Sequence, residues 1–171
     1  MFRWAYLLTA FVALAAWAGA QGPVPPAPLS PEDKLRLLRT NGALIDSLVN
    51  DGVAMSVAGG PEARAERCRS ASLALVNAIR AAAEAGEAER VAELTGLFRV
   101  VVRDGLVPTI NDGLNTVPAQ SPAAVKLREV RGLAAADVTD LRAAAATGKL
   151  ADSPRVRDAL KQLDELTEAL K

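Results

Sequence analysis

The chain has 171 residues, with 20 basic and 20 acidic side chains, no histidine, one cysteine, three Phe, two Trp and one Tyr. A zero balance excludes the basic excess of a nucleic-acid footprint, and a chain without histidine has no Ser-His-Asp triad, His-ligated zinc or His-ligated haem. Phe98 is the sole aromatic after Trp17, so stacking platforms for single-stranded nucleic acid or carbohydrate are excluded too.

The first element predicted is a secretory signal over 1–20. Arg3 marks a short charged region, Leu7 to Ala18 form an apolar stretch, and Ala18-Gly19-Ala20 is a small-x-small cleavage site. About twelve apolar residues are short for a membrane span. The expectation is therefore cleavage after Ala20 and a periplasmic or secreted protein with no stable membrane span. The alternative is anchoring by an uncleaved N-terminal helix. No cysteine follows Ala20 and no twin arginine precedes it, so neither a lipoprotein anchor nor the twin-arginine route is indicated. Residues 21–29, QGPVPPAPL, carry four prolines and read as a stiff, extended linker.

From Ser30 to Lys171 the punctuation is helical. Ser30-Pro31, Ser121-Pro122 and Ser153-Pro154 each set an N-cap hydroxyl before an N1 proline. Gly59-Gly60-Pro61 ends one helix and opens another, and Gly86 and Gly148 sit where helix C-termini want a left-handed residue. These signals predict five helices, at about 31–58, 61–85, 87–115, 122–147 and 154–170. Apolar residues recur at three and four in each. The first presents Leu35, Leu38, Ile45, Leu48, Val49 and Val53, and the second Ala65, Cys68, Ser72, Leu75, Ile79 and Ala82. The third presents Val91, Leu94, Phe98, Val101 and Leu106, with Pro108 predicted to kink or divide it. The fourth presents Leu127, Val130, Ala134, Val138, Leu141 and Ala145, and the fifth Val156, Leu160, Leu163, Leu166 and Leu170. Short links make neighbours antiparallel, so the predicted fold is all-α. Helices one to four form an up-down-up-down bundle, and a shorter fifth follows.

Asn50-Asp51-Gly52 recurs as Asn111-Asp112-Gly113, each eight residues before a proline, Pro61 or Pro122. This frame suggests a duplicated helical hairpin. In an up-down bundle it also places Asn50, Asp51, Asn111 and Asp112 at one pole. That pole reads as a docking surface, a weak site for a hard cation, or plain polar helix ends. No metal site, catalytic residue or cofactor is otherwise read. Cys68 lies on the apolar face of the second helix and reads as a buried structural thiol, with an intermolecular disulfide or a reactive thiol as alternatives. Glu89/Glu93 and Asp164/Glu168 share helix faces and read as solvated pairs.

Arg64-Ala65-Glu66-Arg67-Cys68, Ala92-Glu93-Leu94, Val117-Pro118 before Ser121-Pro122, and Leu127-Arg128-Glu129-Val130-Arg131 resemble uncharacterised secreted helical proteins of planctomycete-type bacteria. The resemblance spans roughly half of the chain beyond the signal. It implies an exported helical bundle and brings no activity. Periplasmic stress and metal-sensing helical proteins share export and helicity but carry His/Met-rich tracts that this chain lacks.

The sequence thus predicts an exported, non-enzymatic helical protein acting by contact with an envelope protein or with itself. A carrier of a small apolar ligand is one rival, and an enzyme restricted to Asp, Arg and Asn is another. A filled core with an exposed apolar stripe favours contact, a large apolar cavity favours the carrier, and buried clustered charge favours the enzyme.

Overall fold

A computed structural model describes residues 30–146 and 148–171 of the chain. The signal segment read at 1–20 and the linker read at 21–29 lie outside the described residues. The chain divides between Arg39 and Thr40, inside the first helix. The core belongs to the unit Thr40–Lys171.

Among the described residues every regular element is helical. They are α1 (Pro31–Ser56), α2 (Pro61–Glu84), α3 (Ala88–Val100), a π-helical turn (Val101–Leu106), α4 (Val107–Thr116), α5 (Pro122–Ala145), a 3-10 turn (Gly148–Asp152) and α6 (Pro154–Ala169). No helix among them is long and apolar enough to cross a membrane. The boundaries follow from local chemistry. Pro61, Pro122 and Pro154 stand at helix starts, where a missing N–H costs nothing. Ser121 accepts from Ala124 N at 3.2 Å, a side-chain cap. Ser153 begins α6 without that bond, so its role there is backbone geometry alone. Gly86 ends α2 at φ +73°. Glu87 N bonds Ala82 O at 2.9 Å and Gly86 N bonds Ala83 O at 3.0 Å, the paired closure that a left-handed residue permits.

At Pro108 the third predicted helix is divided into α3 and α4 by the π turn rather than ended. The backbone widens just ahead of the proline into the π turn, where Val107 N bonds Val102 O. This relieves the clash that a proline ring makes with the carbonyl four residues earlier. The wider turn also keeps Phe98, Val102, Leu106 and Ile110 buried on one side. Residues spaced by four drift by about 40° per step on a regular α-helix, and the π turn absorbs the drift. Val101, expected in the core, is therefore only partly buried, and Val102 takes its place.

The core is enclosed by α2, α3–α4, α5 and α6. The packed pairs are α2 with α5, α3 with α6, α2 with α3 and α5 with α6. Phe98, Leu75, Ile79, Leu127, Leu141, Leu163 and Leu166 are among the largest fully buried side chains. Ion pairs cross the seams: Arg80–Asp140 at 3.2 Å and Lys126–Glu66 at 3.2 Å join α2 to α5, and Arg99–Glu165 at 3.6 Å joins α3 to α6. At the surface such pairs add at most about 1 kcal/mol each.

This grouping corrects the expected one. The fifth predicted helix, α6, packs along α3 and against α5, and the first helix is the peripheral one. From Asn41 on, α1 supplies no fully buried apolar side chain; it leans on the core through Leu44, Leu48 and Met55. The apolar face assigned to that helix is corrected as well. Ile45, Val49 and Val53 are exposed rather than buried.

Candidate functional site

Two apolar rows run along α1. Leu44, Leu48, Asp51 and Met55 lie within a narrow arc on one side. Ile45, Val49 and Val53 form a second row, four residues apart, which Val57 continues in the turn just past the end of α1, and it is centred roughly 150° away around the helix. The first row is half-buried or buried, with Asp51 buried among them. The second row faces solvent: Ile45 is 41% exposed, Val49 57%, Val53 62% and Val57 79%. A helix apolar on both sides is usually covered on both. Here Arg90 of α3 donates to Asn41 Oδ1, fixing which side meets the core. Between Thr40 and Gly60 the only charged residues are Asp46 and Asp51.

Beside the outer row lies an open apolar groove of about 410 Å³, walled by Leu48, Gly52 and Met55 of α1 and by Val100, Val101, Asp104 and Gly105 across from it. Cys68 and Ala71 of α2 form its floor. Cys68 is buried, and its thiol donates to Met55 Sδ at 3.1 Å. Burial pushes the thiol above its ordinary pKa, opposed by a hydrogen bond with Thr109. The thiol thus stays protonated near neutral pH, the inert state of a buried cysteine. Gly52 and Gly105 both face this space. A Cβ on Gly52 would meet nothing within 4 Å, and one on Gly105 would sit 3.6 Å from Cys68 Sγ.

The two Asn-Asp-Gly segments occupy unlike surroundings. Asn50 is exposed and Asp51 buried on α1; Asn111 and Asp112 are exposed on α4. Asn111 Oδ1 accepts from Arg131. Asp112 lines a polar recess with Pro61, Arg64, Thr109, Gly113 and Thr116. Gly113 is buried so tightly that a Cβ would fall 2.8 Å from Leu127 Cδ1 and 2.9 Å from Pro61 Cβ. Gly52 instead borders the groove near Cys68, about 10 Å farther along α2 than Pro61 at 1.5 Å per residue. Neither recess is lined by all four polar residues. No group of three or more His, Cys, Asp or Glu side chains placed to hold a metal ion occurs among the described residues.

Three of the four paired carboxylates are engaged in surface ion pairs: Glu89 with Arg155, Asp164 with Arg142 at 3.2 Å and Glu168 with Lys171 at 2.6 Å. One partly buried pair escaped sequence reasoning. Asp137 of α5 meets Arg69 of α2 at 3.4 Å. Burial pushes the Asp137 carboxyl above the ordinary carboxylate range, Arg69 and Arg80 draw it back down, and Asp140 raises it. The two residues are 68 apart in the chain, so no local pattern announces them. The outer row of α1 was legible as a row of apolar residues, and only its direction was missed.

The chain matches no family model, no curated protein and no solved structure.

Proposed function

We propose that this protein is an exported, non-enzymatic helical protein that works by protein contact in the cell envelope, with its contact face on α1. The proposed architecture is an up-and-down bundle of α2, α3–α4, α5 and α6, with α1 laid against it as the contact-bearing helix. The observation that supports the reading is the row Ile45, Val49, Val53 and Val57, left in solvent beside an otherwise well-buried core. Contiguous apolar surface on a folded protein marks contact sites, because water-exposed methyl groups gain free energy when covered. Export is proposed from the signal-like pattern at 1–20.

Affinity capture from an envelope extract tests this reading, comparing the parent chain with Val49→Lys/Val53→Lys. The expected result is a defined set of species retained by the parent and lost from the variant. Identical eluates would contradict it.

A second reading has its own support. The groove over Cys68 and Ala71 is apolar and has room for a small ligand, as bundle sites for apolar ligands do. Its open side distinguishes it from the enclosed cavities that bury most of a ligand's surface. Co-purifying lipid or other apolar small molecules, found by mass spectrometry of the extracted protein, would favour this carrier reading.

A further inference from the structure

We infer that the partner of the α1 face is a second copy of this chain, joined by antiparallel α1–α1 packing about a two-fold axis near residue 51. The inference rests on reading α1 as a contact face, and it names the occupant.

Three features of that face fit a second copy. First, the row Ile45, Val49 and Val53, continued by Val57 in the turn that closes α1, is symmetric under reversal: turned end for end about residue 51, Ile45 falls opposite Val57 and Val49 opposite Val53. Residues spaced by four form the ridges that interdigitate when two helices cross in the commonest packing class. A two-fold contact requires one patch to complement itself.

Second, the patch holds both knob and hole. Gly52 lies next to Val53 and borders the groove, so the backbone there is open to a partner's valine. A glycine inside a helix costs about as much as any ordinary residue can. Packing among the described residues does not require a glycine here, since a Cβ on Gly52 would meet no described atom within 4 Å. Close approach of another backbone does account for it.

Third, charge selects among occupants. The segment 40–60 carries Asp46 and Asp51 and no basic residue, which disfavours an anionic membrane surface or an acidic partner. Antiparallel pairing sets the two Asp46 side chains about 15 Å apart along the axis, beyond the screening length near 0.1 M salt. Parallel pairing would bring them side by side.

The available area also fits. Leu97 and Val100 are each 53% exposed, and Val100 lines the far wall of the groove. A Val or Leu side chain carries about 100 Å² of apolar surface, so these two with the outer row offer on the order of 300–400 Å² per copy. Interfaces are a little over half apolar, which corresponds to about 600 Å² per copy, the lower end for a specific dimer. The predicted dimer is therefore weak and concentration-dependent.

Sedimentation equilibrium of the chain purified from the envelope fraction decides the matter, run from about 1 μM to about 1 mM to bracket a weak dimer. The expected result is a reversible monomer–dimer equilibrium in the parent. Gly52→Leu, which fills the hole while improving helix propensity, weakens dimerisation by at least about tenfold with helical content unchanged. Val49→Lys/Val53→Lys gathers four lysines at the axis and abolishes it. A parent that stays monomeric throughout, or a dimer indifferent to both variants, overturns the second-copy assignment. Envelope capture that depends on the α1 row, alongside a monomeric parent, would leave the contact face standing and transfer it to a different protein.

Discussion

The first helix and the helices that follow it use the same aliphatic residues, yet burial treats them in opposite ways. In α5 the row Leu127, Val130, Ala134, Val138, Leu141 and Ala145 is entirely buried; in α1 the row Ile45, Val49 and Val53 is entirely exposed. The two Asn-Asp-Gly segments show the contrast at single-residue scale. Gly113 is a packing necessity, pressed between Pro61 and Leu127, whereas Gly52 opens on empty space. Apolar periodicity establishes that a helix has a face; it does not establish what covers that face.

The largest expected difference between the regions comes from deleting a side chain in each. Phe98 is fully buried, and Phe98→Ala is expected to destabilise by about 3–5 kcal/mol through lost burial and a residual cavity. Val53→Ala on the outer row is expected to change stability by less than about 0.5 kcal/mol. Denaturant titration of both variants at a concentration where the chain is monomeric measures the gap; equal losses would break the comparison.

The paired glycines sharpen it next. Gly113→Ala forces Leu127 or the rigid Pro61 ring to move, and a net loss of about 1–2 kcal/mol is expected after any gain in helix propensity. Gly52→Ala meets no obstacle and is expected to stabilise by about 0.5–1 kcal/mol. Thermal unfolding reads both, and shifts of the same sign would show that the two segments are equivalent after all.

The helices were legible in advance, for identifiable reasons, whereas the contrast between α1 and the rest was not. Proline, serine and glycine punctuation located the helices because each acts through local backbone geometry, as the left-handed Gly86 shows. The buried faces of α2 and α5 were legible because each helix has a single apolar row. In α1, Leu44–Leu48–Met55 competes with Ile45–Val49–Val53, and only tertiary packing chooses between them. The π turn did leave a signal, the spacing of four through Phe98, Val102, Leu106 and Ile110 on either side of Pro108, although each step alone is compatible with a regular helix. The Arg69–Asp137 pair left none, because it depends on how α2 and α5 meet.

The smallest expected effect concerns charge inside the core region. The folded-state pKa of Asp137 is raised, chiefly by burial. The unfolded chain therefore gives up this proton first as pH rises past the ordinary carboxylate value near 4. Stability from this group is present below that value and is lost as pH climbs through the raised one. Asp137→Asn is expected to match or exceed the parent at pH 7, by less than about 1 kcal/mol, because its amide oxygen still faces Arg69. The advantage is expected to vanish below about pH 4. Unfolding curves at pH 3.5, 5 and 7 would show it, and an advantage that grows on acidification would reverse the assignment. No counterpart is expected on the outer row of α1, where no ionisable group is buried among the valines.

The most direct test of the central claim, that the outer row of α1 lies outside the core, is the unfolding free energy of Val49→Lys/Val53→Lys measured on dilute, monomeric protein. Exposed positions accept lysine with little change, so a value within about 1 kcal/mol of the parent is predicted. Lysines forced into a packed core would instead cost several kcal/mol, and a loss of that size would contradict the account.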